Sequence, residues 1–94
     1  MKSLIIDQIE VTKNCTVQVF INKLSSDGDF IGNLVKRLPP ASDINAEMNE
    51  INAYMATENF ATVPAADVAK LTAICNAAWT PAVIAAYQAA QQGV

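Results

Sequence analysis

The hydrophobic pattern of this chain changes period once, at Pro39-Pro40, and that change limits what it can fold into. Upstream, Cys15, Val17, Val19 and Ile21 alternate with Thr16, Gln18, Phe20 and Asn22, the two-residue period of a strand with one buried face. Downstream, Ile44, Met48, Ile51 and Met55 fall at i, i+4, i+7 and i+11, a single apolar stripe on a helix. Strands first and helices after define an α+β chain. The expected architecture is a three-stranded antiparallel meander followed by three helices packed on one face.

Turn chemistry places the remaining breaks. Before the alternating strand, Ile5, Ile9 and Val11 share one parity with Asp7 intruding, and Lys13-Asn14 supplies a tight turn because Asn tolerates positive φ. Ser25-Ser26-Asp27-Gly28-Asp29 is the strongest reversal signal, and a third strand runs from Phe30 to Leu38. Proline lacks the ladder N–H, so Pro39-Pro40 ends it. Ser42 or Asp43 caps a helix over 43–58. Thr62 with Pro64 opens a second, in which Val68, Leu71, Ile74, Cys75 and Ala78 line up. Thr80-Pro81 repeats the signal for a third helix to about Gln91, turned sharply from the second with Val83, Ile84 and Tyr87 inward, and 88–93 is read as a frayed tail.

A chain of 94 residues builds one core, since a domain of that size hides little more than about 60% of its unfolded surface. We therefore read 1–94 as a single domain, with 1–38 the meander and 42–92 the helical part. Hydrophobic residues make up 52% and charged residues 16%, a globular balance. Residues 1–37 carry five basic and four acidic side chains, residues 38–94 one basic and five acidic, and Lys36-Arg37 is the only basic pair. Nucleic acid, whose phosphates draw affinity from clustered Lys and Arg, is not an expected partner. No apolar run reaches the roughly 18 residues of a membrane span. The apolar start, Leu4-Ile5-Ile6 before Asp7, is too short for a signal peptide core, so synthesis in the cytoplasm is expected.

The chain has no histidine, which removes the commonest general base, nucleophile partner and metal ligand together. Glu47 and Glu50 lie i, i+3 on a polar helix face, where a solvated pair is the ordinary reading. Asp27 and Asp29 flank Gly28 without the twelve-residue calcium pattern, and no phosphate-cradling glycine spacing occurs. No catalytic, metal or cofactor site is expected, and the chain is read as a non-enzyme. Cys15 and Cys75 each fall on the apolar parity of their element, leaving two readings open: buried core thiols, or a disulfide formed outside the reducing cytoplasm. Trp79 is read as core, whereas Tyr87 is balanced between core and interface. The positive signal is surplus apolar surface. Phe20 and Leu24 oppose Val17, Val19 and Ile21, and Leu4 and Ile6 oppose Ile5 and Ile9, so both faces of the meander carry hydrophobic groups. Leu4, Ile6, Phe20, Leu24 and Tyr87 are therefore candidate interface residues.

Ile5-Ile6-Asp7-Gln8-Ile9-Glu10-Val11, a turn, Thr16-Val17-Gln18-Val19, and the closing Trp79-Thr80-Pro81-Ala82-Val83-Ile84-Ala85-Ala86-Tyr87 together resemble small proteins encoded in the tail regions of tailed bacteriophages. About a third of the chain carries the resemblance. The chain departs from that pattern where a His-Arg pair would end the third strand, having Lys36-Arg37-Leu38 instead, and the helix over 43–58 looks inserted. The matching motifs are structural, with no catalytic residue to transfer. What the resemblance implies is a virion component of the tail, baseplate or fibre attachment, present in several copies and bound to other phage structural proteins. A cytoplasmic assembly chaperone for a tail or fibre protein is the alternative it leaves.

Overall fold

In the computed structural model, which describes residues 1–92, the chain runs β1 (Ser3–Val11), β2 (Val17–Leu24), β3 (Phe30–Leu38), α1 (Ile44–Ala56), α2 (Ala65–Ala78) and α3 (Pro81–Gln92). The strands form one antiparallel sheet in the order β1-β2-β3. The expected α+β meander followed by three helices is what the chain adopts. The molecule is elongated, 47 × 21 × 19 Å.

β2 is the central strand and supplies the floor of the core. Val17, Val19 and Ile21 are fully buried, while Gln18, Phe20 and Asn22 point to the other face. They pack with Leu4 of β1, Leu38 of β3 and a roof of Met48, Met55, Leu71, Cys75 and Trp79. Every sheet residue in that cluster belongs to one face, so the helices form a single layer on one side.

β1 reaches that face only through a bulge. Its register with β2 runs Ile6↔Ile21 and then Gln8↔Phe20, leaving Asp7 as the extra residue. A bulge shifts the side-chain phase by one, so Leu4 and Ile6 before it and Ile9 after it all turn toward the helices. The outer edge of β1 is occupied at its start, from Lys2 to Ile6. Phe60 bridges to Lys2, the Ala61 amide donates to the Lys2 carbonyl at 2.9 Å, and the Ile6 amide donates to Asp67 Oδ2 at 3.0 Å.

The turns follow their chemistry with one exception. Gly28 takes φ +88° and its amide donates to the Ser25 carbonyl. In the β1–β2 turn the residue at positive φ is Cys15 (+63°), not Asn14, so Cys15 lies outside β2 and does not continue its alternation. Asp43 is the N-cap of α1, its Oδ1 accepting from the Ala46 amide at 3.0 Å. Pro64 precedes α2 without a side-chain cap, and Thr62 takes no capping part. Thr80 caps α3, its Oγ1 accepting from the Val83 amide at 3.3 Å. α2 and α3 meet at 78°; neither alone is long and apolar enough to cross a membrane, although the bent pair together has the length and composition. Residues 88–92 continue α3 instead of fraying, and Gly93 of the expected tail lies outside the described residues.

The two faces of the sheet predict two different mutational responses. Leu71→Ala, which empties a fully buried position, should lower unfolding free energy by about 2–5 kcal/mol. Val35→Thr, on the opposite face and 49% exposed, should change it by less than about 0.5 kcal/mol. Urea denaturation of both variants checks the pair.

Candidate functional site

The face of the sheet away from the helices has no covering layer. The register places Ile5, Phe20, Leu24, Phe30 and Val35 on it, with Phe20 directly across from Val35 and Leu24 across from Phe30. Such cross-strand pairs hold their side chains at about 4.5–5.5 Å between Cβ atoms, and the two apolar pairs lie on either side of the row formed by Ile5, Asn22 and Asn33. A second bulge sits here, with Phe30 and Ile31 sharing Leu24 as partner. Phe30 is 61% exposed, Ile31 51% and Val35 49%. Gln18 and Arg37 border the apolar residues at one end, and the Asn22–Asn33 pair separates Phe20 and Val35 from Leu24 and Phe30.

Phe20 and Leu24 thus occupy the open face, as their parity required. Leu4 and Ile6 do not. Leu4 is 1% exposed inside the core and Ile6 packs against it, because the Asp7 bulge puts them in phase with Ile9. Their place on the outer face is taken by Ile5, and β3 adds Phe30, Ile31 and Val35, which the sequence reading did not single out. Alternation within β3 was the available signal, since Val35 and Asn33 share parity opposite Leu34 and Lys36. Tyr87 is half-buried in a groove between α3 and the β1–β2 turn, beside Val83, Cys15 and Thr16, away from this face.

The cysteines are both free thiols. Cys75 is fully buried, and the loss of solvation pushes its thiol up to about 11. Cys15 is half-buried against the core. Trp79, buried as expected, ties the two segments together: its indole Nε1 donates to the Cys15 carbonyl at 2.7 Å and its amide to the Cys75 carbonyl at 2.8 Å.

The carboxylates serve local structure. Glu47 is not part of a solvated pair with Glu50; it meets Lys36 Nζ at 2.8 Å, and hydrogen bonding to Glu47 holds the Lys36 ammonium above its ordinary value. Lys36 therefore points under α1 while Arg37 points to the open face, and the only basic pair is divided between two surfaces. Among the described residues no group of three or more Cys, Asp or Glu side chains is placed to hold a metal ion. No family model, curated protein or solved structure matches this chain.

Burial of Cys75 predicts a pH effect. Its folded value of about 11 lies above the ordinary 9.0, so the unfolded chain releases the thiol proton first, and stability falls as pH rises from about 9 through about 11. The stability gap between wild type and Cys75→Ala should shrink across that window in urea titrations, and a gap constant from pH 8 to 11 would contradict the burial of the thiol.

Proposed function

We propose that this chain is a non-enzymatic structural component of a tailed-bacteriophage particle, a small tail, baseplate or fibre-attachment subunit that works through protein–protein contact. The observation that carries the reading is the strip of Ile5, Phe20, Leu24, Phe30, Ile31 and Val35 on a sheet face with no helix over it. Large apolar side chains left exposed together, with polar groups among and beside them, are characteristic of a docking surface, and a sheet backed by a packed core presents them rigidly. The resemblance of the β1–β2 hairpin and the Trp79-to-Tyr87 segment to phage tail-region proteins supplies the setting. The lack of histidine supports a binding role over a catalytic one. Division of Lys36 and Arg37 between two surfaces argues for a protein partner over nucleic acid.

In this reading the partners are other phage structural proteins, the chain is repeated in several copies, and its destination is the virion. Quantitative mass spectrometry of purified particles tests it. Peptides of this chain at a fixed copy number per particle are expected. Their absence from finished particles, with the chain abundant in infected cells, would instead make it an assembly chaperone using the same strip transiently.

A further inference from the structure

Glu10 pairs with Gln18 and Gln18 with Arg37, so the three form one row across the open face, acid at the β1 edge and base at the β3 edge. No register shift falls between Gln8 and Val11 or between Val17 and Lys23, so both bulges lie outside that row. Glu10 and Arg37 are the only charged residues that the strand pairing places on this face. Both are exposed, and neither makes a salt bridge among the described residues. The midline of the face is β2, with Phe20, Asn22 and Leu24 in line beyond Gln18.

We infer that the occupant of the open face is the same face of a second copy of this chain, packed sheet on sheet about a two-fold axis that runs along β2. Such an axis exchanges the β1 and β3 edges and keeps every row opposite itself. Glu10 then faces Arg37 of the second copy, and Arg37 faces its Glu10. These two ion pairs cross the roughly 10 Å between packed sheets, a gap that the two long side chains span together. On the midline Phe20 meets its own equivalent and so does Leu24, while the two Asn22 amides hydrogen-bond to each other. Phe30 faces Ser3, whose small side chain leaves room for the ring. The other two-fold, running across the strands, reverses the order of the rows. It sets Arg37 against Phe30, Glu10 against Ser3 and Phe20 against Asn22, which covers both charges without a partner. Sheets that cover one another commonly keep their strands aligned within about 30°, and the contact is isologous, as in most homodimers. A face of three strands about 4.8 Å apart and eight residues of about 3.3 Å measures about 14 by 26 Å. That is toward the small end of specific contacts, so the dimer is reversible, with a dissociation constant in the micromolar range.

The inference rests on the open face being the docking surface, and its test needs no virion. Analytical ultracentrifugation of the purified chain across micromolar concentrations should show a dimer of twice the 10.0 kDa chain mass. Glu10→Arg and Arg37→Glu, both at exposed positions, should each raise the dissociation constant by about tenfold or more. The double variant restores both pairs with the signs exchanged and should recover most of that loss, which a misfolded protein could not do. A folded monomer up to roughly millimolar concentration would overturn the pairing. So would a dimer indifferent to both single reversals, or a double variant no tighter than either. A monomer in solution that is present in particles would remove the second copy and leave the structural role standing. A dimer that obeys the charge exchange but is absent from particles would do the reverse.

Discussion

Three strands and three helices can make two layers and no more, and everything else about this protein depends on which sheet face the single helical layer covers. Burial of Val17, Val19 and Ile21 against Met48, Met55, Leu71 and Cys75 commits the helices to one side. The opposite side must then face water or a partner. On a purely polar outer face that would mean nothing, but here Phe20 is set against Val35 and Leu24 against Phe30. Those pairs cost solvation in the isolated chain and gain it back only when another surface arrives.

The Asp7 bulge and the connection between α1 and α2 work together at the other edge. Without the extra residue, Leu4 and Ile6 would point away from the helices once Ile9 points toward them. With it, one continuous apolar edge meets α2, and Asp67 at the start of that helix satisfies the Ile6 amide. Phe60 and Ala61 then close the first residues of β1. The edge of β1 is thereby occupied from Lys2 to Ile6, whereas the edge of β3 is unpaired among the described residues.

Much of this was legible from the residues because local signals agreed with the fold. β3 spans the residues between the Asp27-Gly28 turn and Pro39, and the α1 stripe is the set of buried residues on that helix. What was not legible came from non-local causes. A bulge leaves no mark in the alternation of a strand whose two faces are both apolar, so alternation alone puts Leu4 and Ile6 on the wrong side. Cys15 continues the parity of Val17 and so looks like strand, yet the turn from Thr12 to Thr16 has it at positive φ. The Lys36–Glu47 pair and the Phe60 bridge join segments that only the tertiary fold brings together. Of the open face, Phe20 and Leu24 were visible in advance, whereas Ile5, Phe30, Ile31 and Val35 needed the register.

Separation of stability and binding onto two faces of one sheet is the central claim. On the virion role proposed for the chain, its most direct test is incorporation of a Phe30→Asp/Val35→Asp double variant into the phage particles that this role implies, alongside its urea midpoint. A midpoint close to wild type with the chain missing from particles is expected. Incorporation at the wild-type level would show that the open face is not where the partner binds.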